Sequence, residues 1–292
     1  MVRHVTQVQV RWADLDAYGH VNNVAFLRYL QEARVDLLFV QASRDGVSGL
    51  AEGVVVRRHD IDYLAPLQAG AHPLRVEIWI HEVRNATFTV GYELIDEHAP
   101  EPRVCARART VLVPYNLDAG RPRRLSDDEQ ALLHRHLDAD RLVPPAEPAT
   151  MPLRDEPTKT HLYECAVRFD DLDRYGHVNN VTFAEYVQEA RIDFARFRLF
   201  DVDGGPPHAV VGGQSLEYLA PVPVRSEPLH VYLWLTKIGD TSFHLAAEVA
   251  DQHQVYVRAV NRLVAIDPSG QRARALVPAE RQVLEQFLGG TT

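Results

Sequence analysis

Two short polar segments of this chain carry the same chemically useful residues in the same order. Residues 14–23 read Asp-Leu-Asp-Ala-Tyr-Gly-His-Val-Asn-Asn, and residues 171–180 read Asp-Leu-Asp-Arg-Tyr-Gly-His-Val-Asn-Asn. A carboxylate of ordinary pKa, about 4, is ionised at neutral pH, so it can attack a carbonyl carbon or act as a base for water. Backbone N–H groups at a following helix start would stabilise the resulting oxyanion. The pattern favours hydrolysis of an activated acyl bond.

Each segment thus carries a candidate catalytic carboxylate, which we expect to act on the substrate rather than only to shape an Asx-turn. A Gly at the centre of each segment permits a positive φ or a close backbone approach. The remaining polar residues are expected to position the carboxylate, to orient water or substrate, or to cap the helix. These supporting residues are Gly19, Gly176, His20, His177, Asn22 and Asn179.

The two segments belong to a long internal repeat. Residues 10–36 and 167–193 share 19 identities in 27 aligned positions, where unrelated sequences share about two. The repeat continues with Asp62-Tyr-Leu-Ala-Pro against Glu217-Tyr-Leu-Ala-Pro. A length of 292 residues with 46% apolar residues is typical of two globular domains. We predict domains at residues 1–140 and 161–292, joined by a Pro-rich linker at 141–160.

Each repeat shows the same order of predicted elements. A strand at Gln7–Trp12 leads through the polar turn to a long helix at Val24–Gln41, which is apolar around much of its circumference and therefore surrounded by protein. Runs rich in Val, Ile, Tyr, Phe and Thr predict an antiparallel sheet. The predicted strands are Gly53–Leu64, Leu74–His81, Thr87–Ile95 and Val104–Val113, followed by a helix at Asp127–Leu137 with a capping box of Ser126 and Glu129. The fold class is α+β.

Several functional classes find little support in the sequence. The net charge of −9 and the absence of a basic face argue against a nucleic-acid partner. We expect no membrane insertion, because no apolar run approaches 18 residues. No zinc-ligand spacing, Gly-rich nucleotide loop or Gly-x-Ser-x-Gly motif is present, so no metal and no cofactor are expected. Arg121, Arg123 and Arg124, matched by Arg272 and Arg274, form either a solvated turn or a seat for phosphate groups.

The cysteines do not fit a disulfide framework. Cys105 and Cys165 occupy non-equivalent positions in the two repeats, and no apolar signal segment follows the first residues. We expect two free, largely buried thiols in a cytoplasmic protein.

Both halves resemble the hot-dog-fold acyl-CoA thioesterases of the 4-hydroxybenzoyl-CoA thioesterase class, on the two segments quoted above and their strand-turn-helix context. The resemblance implies two tandem hot-dog domains, each a long helix wrapped by a curved antiparallel sheet, paired as an intrachain pseudo-dimer with sites at the interface. It implies Asp16 and Asp173 as catalytic carboxylates and backbone N–H donors near Asn23 and Asn180. A homodimer of whole chains is also compatible with it.

A second pair of carboxylates is held in reserve. Glu32 and Glu189 lie in Gln-Glu-Ala-Arg, repeated in both long helices, and some hot-dog enzymes carry their catalytic carboxylate on this helix. A helix-surface ion pair or an interface contact with Arg34 and Arg191 is the favoured interpretation, and Glu32 and Glu189 are the reserve catalytic residues.

The sequence thus predicts an acyl-CoA thioesterase that hydrolyses a fatty or aromatic acyl-CoA to free acid and CoA. One alternative is an acyl-carrier-protein thioesterase, which the acidic balance disfavours because the carrier is itself acidic. The other is a non-catalytic acyl-CoA binding module, which the retention of Asp16 and Asp173 in both repeats disfavours.

Overall fold

The computed structural model describes residues 3–47, 49–68, 70, 72–145, 148–154, 159–198, 208–267 and 272–289. The chain divides into two compact units, residues 1–145 and 146–292. In each unit a long helix follows the first strand, and four longer strands come after it. The predicted helix and antiparallel sheet are therefore confirmed in both repeats.

The described residues of the first unit form six strands and four α-helices. The strands are β1 (His4–Val8), β2 (Val54–Tyr63), β3 (Leu74–Val83), β4 (Phe88–Asp96), β5 (Arg103–Asn116) and β6 (Arg121–Pro122). The helices are α1 (Asn23–Val35), α2 (Ala42–Arg44), α3 (Gly49–Glu52) and α4 (Asp127–Arg135). Five strands form a sheet in the order β1-β3-β4-β5-β2, all antiparallel to their neighbours. The two-residue strand β6 pairs with the end of β5.

The second unit repeats this arrangement. Its strands are β7 (His161–Cys165), β8 (Ala209–Tyr218), β9 (Leu229–Ile238), β10 (Ser242–Ala250) and β11 (Val255–Ala265), and its helices are α5 (Thr182–Arg198) and α6 (Pro278–Glu285). The strand order is β8-β11-β10-β9-β7, again antiparallel throughout. Helix α5 stays α-helical to its end, whereas α1 continues into a π-helical turn at Asp36–Gln41.

The first strand differs from its prediction. The expected strand at Gln7–Trp12 is wrong, because the strand spans His4–Val8 and its last residue already lies opposite Leu74, the first residue of β3. Beyond it, Asp14 accepts a hydrogen bond from the backbone N–H of Arg11 and turns the chain into a short 3₁₀ helix at Trp12–Asp14. Strand β1 therefore ends because β3 has no residue before Leu74 to pair with the next residue of β1.

Helices α1 and α5 supply the core with their apolar faces. Leu27, Leu30 and Ala33 of α1 are fully buried, as are Ala184, Val187 and Ala190 at the equivalent positions of α5. The two free cysteines, Cys105 and Cys165, are buried as expected, and burial raises the pKa of the Cys165 thiol to about 12. Within the described part of the chain, no helix combines the length and apolarity needed to cross a membrane.

An arginine-glutamate clamp fixes the start of the last helix in each unit. Arg123 donates to both carboxylate oxygens of Glu129, which also forms the predicted capping box with Ser126. In the second unit Arg274 donates to both oxygens of Glu280, which accepts the backbone N–H of Val277. These two arginines of the basic clusters are thus engaged by carboxylates rather than left open for phosphate.

The clamps predict a specific acid sensitivity. Burial is the largest single effect and raises the pKa of Glu129 and of Glu280. The hydrogen bonds and charge of Arg123 and Arg274, together with the backbone N–H groups of Ser126 and Val277, outweigh it, so both pKa values are lowered. Groups with a lowered folded-state pKa stabilise the fold above their ordinary pKa and lose that contribution as the pH falls. Replacing both by Gln should cost about 1.5–3 kcal/mol per site at pH 7 and flatten the fall in unfolding free energy towards pH 3.

Urea denaturation at pH 7 and at pH 3 measures this difference. Glu285→Gln, which changes an exposed glutamate on α6, is the matched control and should leave the pH dependence unchanged. If the unfolding free energy of the double variant falls with pH as steeply as that of the wild type, the proposed role of the clamps is wrong.

Candidate active site

The polar turn of each repeat is tied to its helix by the first Asp of the motif. Asp14 is 7% exposed and accepts hydrogen bonds from the backbone N–H of Arg11 and from the Tyr29 hydroxyl, each at 2.8 Å. Burial, and then the hydrogen bond to Asp14, raise the pKa of Tyr29, so this hydroxyl keeps its proton and serves as a donor. Asp171, which is half-buried, makes the same two contacts with Arg168 and Tyr186.

Backbone hydrogen bonds then close the turn on itself. The N–H of Asp16 donates to the carbonyl of His20 at 2.7 Å, and the N–H of Gly19 donates to the carbonyl of Asp16. Gly19 and Gly176 have φ values of 73° and 76°, the left-handed region that favours glycine. The second turn has the same pair of bonds between Asp173, His177 and Gly176.

The two candidate carboxylates are held by one oxygen each. Asp16 Oδ1 accepts the backbone N–H groups of Tyr18, at 2.8 Å, and His20, at 3.1 Å. Asp173 Oδ1 accepts those of Tyr175 and His177 at 2.8 and 3.2 Å. Within the described residues, neither Oδ2 atom has a hydrogen bond, and both side chains are partly exposed. Each carboxylate is therefore oriented and still has one oxygen open to a ligand.

The asparagines lie at the helix starts. Asn22 Oδ1 accepts the N–H of Val24 and caps α1, and Asn179 Oδ1 accepts the N–H of Val181 in the same way. Asn23 is the first residue of α1, while Asn180 lies two residues before the start of α5 at Thr182. The backbone carbonyls of Asn23 and Asn180 accept hydrogen bonds from the hydroxyls of Tyr63 and Tyr218.

The histidines contribute through their backbone. The N–H of His20 and of His177 holds the neighbouring carboxylate, and within the described residues neither imidazole ring forms a hydrogen bond. Both side chains are partly exposed. The rings are therefore available to a substrate rather than engaged in holding the Asp.

The reserve residues lie elsewhere on the helices. Glu32 and Glu189 are exposed, and within the described residues neither forms a salt bridge. The favoured ion pairs with Arg34 and Arg191 are thus not observed, because Arg34 is buried and donates to the Tyr92 hydroxyl while Arg191 donates to Asn261. These arginines contact the sheet instead of the exposed face of the helix.

Four tyrosines position the site and were not singled out from the sequence. Tyr29 and Tyr186 hold the first Asp, and Tyr63 and Tyr218 hold the helix start. The signal was present, because both pairs occupy equivalent positions in the repeat, and Tyr63 and Tyr218 belong to the repeated Tyr-Leu-Ala-Pro segment.

The same repeated segment also holds the turn through its backbone. Four residues after each tyrosine of this segment, the carbonyls of Leu67 and Val222 accept hydrogen bonds from the backbone N–H groups of Val21 and Val178. The turn is thus fixed from the side of the sheet as well as from the side of the helix.

The two turns differ on their outer surface. The Arg174 guanidinium lies 4.6 Å from the centre of the Tyr175 ring, whereas the equivalent residue in the first turn is Ala17 and Tyr18 is 48% exposed. No group of three or more metal-ligating side chains occurs among the described residues.

Comparison with known proteins places this geometry in a family. A family model described as the thioesterase-like superfamily matches residues 10–144 and again residues 167–287. The two matches cover both repeats and most of the chain.

Two solved structures share the fold over nearly the whole chain. A 12:0-ACP thioesterase from Umbellularia californica aligns with a TM-score of 0.72 at 16% identity, covering 90% of this chain and 94% of that one. An acyl-ACP thioesterase from Bacteroides thetaiotaomicron VPI-5482 aligns with a TM-score of 0.65 at 15% identity, covering 89% and 97%. At these identities the similarity establishes a hot-dog thioesterase fold and nothing about the substrate.

A sequence relative covers part of the chain. The protein YsmA of Bacillus subtilis (strain 168), described as uncharacterized, is 30% identical over 96 residues, which is 32% of this chain. The alignment spans 65% of that relative's length.

The carboxylate-tyrosine contact can be tested by removing one hydroxyl. Tyr29→Phe leaves the buried Asp14 without its side-chain donor and should lower the unfolding free energy by about 1.5–3 kcal/mol. Tyr115→Phe, which removes an exposed hydroxyl bonded to the Gly120 carbonyl, is the control and should cost less than about 1 kcal/mol. If chemical denaturation gives the same loss of unfolding free energy for both variants, the Asp14 contact stabilises the fold no more than an exposed hydrogen bond does.

Proposed function

The chain belongs to the thioesterase-like superfamily and is a thioester hydrolase, and we propose that it cleaves an acyl-CoA to a free acid and CoA at two sites centred on Asp16 and Asp173. The acyl group we propose is fatty or aromatic. One observation carries the proposal: each Asp has one oxygen fixed by two backbone N–H groups and, within the described residues, the other without a protein partner.

This arrangement suits a carboxylate that acts on a carbonyl carbon. The fixed Oδ1 sets the direction of Oδ2, and orientation of a reacting group lowers the barrier because its freedom is lost before the reaction begins. Shaping the turn uses Oδ1 alone. The charged Oδ2 is therefore not required by the turn and is the oxygen that we propose reacts.

Two chemical routes are open to this carboxylate. In the first, Oδ2 attacks the thioester carbon, the C–S bond breaks, CoA leaves as the thiolate, and water hydrolyses the mixed anhydride. In the second, the carboxylate takes a proton from a water molecule as the water oxygen attacks the same carbon, and the tetrahedral intermediate then breaks its C–S bond and releases CoA as the thiolate. In both, we propose that the backbone N–H at Asn23 or Asn180 stabilises the oxyanion, which would lower the barrier by about 3 kcal/mol.

The supporting residues act around this centre. Gly19 and Gly176 provide the positive φ that the turn requires, and Asn22 and Asn179 cap the helix starts. We propose that the His20 and His177 rings face the substrate. The expected pairing of the two repeats as a pseudo-dimer and a homodimer of chains stay predictions of the hot-dog resemblance. A cytoplasmic location stays a prediction from the free thiols.

Single and double Asp→Asn variants test the assignment. Asn keeps the Oδ1 hydrogen bonds but removes the charge, so Asp16→Asn with Asp173→Asn should lower kcat at least about a thousandfold on a panel of acyl-CoAs, measured by thiol release. Each single variant should keep the activity of the other site. If the double variant stays active while Glu32→Gln with Glu189→Gln is inactive, the reserve residues are the catalytic ones.

The second candidate substrate is an acyl-carrier-protein ester. Two whole-chain structural neighbours are named as ACP thioesterases, although at their low identity the likeness carries the fold alone. The net charge of −9 opposes a carrier ester as the substrate of this chain, because the carrier is acidic.

Kinetics on matched esters separates these substrates. For the same acyl group, kcat/KM should be at least about tenfold higher with the CoA ester than with the carrier ester at low salt, and added salt should narrow the gap by screening the repulsion. A higher kcat/KM for the carrier ester would transfer the proposal to that substrate.

A further inference from the structure

Each unit buries a small group of polar side chains on the side of the sheet that faces the long helix. In the first unit the polar side chains of this group, Arg34, His59, Tyr92 and Thr110, form hydrogen bonds with one another. His59 Nδ1 lies 2.8 Å from Thr110 Oγ1, and Arg34 donates to the Tyr92 hydroxyl at 3.5 Å. Burial, and then the charge of Arg34, hold the pKa of His59 well below its ordinary value, so the ring is neutral. No side-chain nitrogen or oxygen of this group is among the buried unpaired atoms of the described residues.

The second unit replaces this group with a different one. The register of β8 and β11 places Gln214 opposite Asn261, as His59 is opposite Thr110 in the first unit. Ala247 stands opposite Ala259, as Tyr92 stands opposite Ala108. The equivalents of Arg34, His59, Tyr92 and Thr110 are therefore Arg191, Gln214, Ala247 and Asn261.

The second group leaves polar atoms unsatisfied. Gln214 is 3% exposed, and within the described residues both Nε2 and Oε1 of its side chain are buried without a hydrogen-bond partner. Asn261 is fully buried; its Oδ1 accepts a hydrogen bond from Arg191 at 3.4 Å, but its Nδ2 has no partner there. Buried polar groups in folded proteins are normally completed by protein, ordered water or ligand. The acceptor Oε1 of Gln214 and the N–H donors of Gln214 Nε2 and Asn261 Nδ2 are thus left for a bound molecule.

The same unit also has smaller side chains along the helix. Leu27 and Leu30 of α1 correspond to Ala184 and Val187 of α5, and all four are fully buried. Residues 184, 187 and 191 lie on one face of α5, at spacings of three and four. With Ala247 in place of Tyr92, all three apolar or aromatic exchanges reduce side-chain volume in the second unit.

We propose that the second unit binds the hydroxyl of a hydroxylated acyl chain at Gln214 and Asn261, with the chain lying along the Ala184 and Val187 face of α5. This proposal rests on the proposed thioesterase function. A hydroxyl can donate to Gln214 Oε1 while it accepts from Asn261 Nδ2. A keto oxygen cannot donate, so it leaves Oε1 unsatisfied.

The position of the group sets where the hydroxyl must be. Arg191 lies 11 residues after Asn180, which is about 16 Å along a helix. The hydroxyl is therefore near the distal end of a long acyl chain rather than next to the thioester. The first unit, with Tyr92, Leu27 and Leu30 in place, is expected to prefer shorter, unsubstituted chains.

Binding of the free acids tests the proposal without requiring hydrolysis. Calorimetric titration of the full chain compares dodecanoic and hexadecanoic acids with their ω-hydroxy derivatives. At one of the two chain lengths, one site should bind the hydroxy acid roughly tenfold more tightly than the unsubstituted acid, the gain expected of one or two added hydrogen bonds.

Two variants should remove this preference. Gln214→Leu removes the unpaired amide and should not lower the melting temperature, and Ala247→Tyr returns the phenol found in the first unit. Thr110→Val, at the position equivalent to Asn261, is the matched control and should keep the preference.

Three results would overturn the proposal: equal binding of the hydroxy and plain acids at both lengths, a preference that survives Gln214→Leu, or a crystal structure with the hydroxy acid in which only ordered water contacts Gln214 and Asn261. These outcomes leave thioester hydrolysis untouched. Conversely, inactivity on every acyl-CoA with intact hydroxy-acid binding would reject the proposed function but not this site.

Discussion

The hydrogen bond between the first Asp of the motif and a tyrosine hydroxyl on the long helix is the contact on which the rest of the site depends. It joins Asp14 to Tyr29 in the first repeat and Asp171 to Tyr186 in the second. A carboxylate withdrawn from water without partners is costly, so the turn is held where these donors lie. Because the turn is fixed at its first Asp, the second Asp is presented at a constant position ahead of the helix start.

Local sequence patterns do not assign different roles to the two Asp residues of each motif, and the family resemblance was what pointed to the second one. They lie two residues apart among the same neighbours, and the structure separates them by burial and hydrogen bonding: Asp14 is 7% exposed and accepts the Tyr29 hydroxyl, whereas Asp16 is partly exposed. By contrast, the helix, the antiparallel strands and the capping box at Ser126 and Glu129 were predictable, because periodicity and local hydrogen-bonding chemistry determine them. The strand at Gln7–Trp12 was misplaced because its end depends on a ladder partner far away in sequence.

The duplicated motif gives two turns of nearly identical geometry inside two different surroundings. The hydrogen bonds that hold the candidate carboxylates agree between the repeats to within about 0.1 Å. The residues farther along the helix and on the sheet have diverged, with Tyr92, Leu27 and Leu30 giving way to Ala247, Ala184 and Val187. This pattern keeps the proposed reacting groups constant and changes the space that we propose for the acyl chain, as expected where one chemistry serves two substrates.

The most direct test of the catalytic assignment is a crystal structure with a ketone analogue of the substrate, in which a methylene group replaces the thioester sulfur. We expect the carbonyl carbon within about 3.5 Å of Asp16 Oδ2 or Asp173 Oδ2, or separated from it by one water molecule. The carbonyl oxygen should lie about 3 Å from the backbone nitrogen at Asn23 or Asn180. A carbonyl bound beside Glu32 or Glu189, with the turn carboxylates out of reach, would contradict the account.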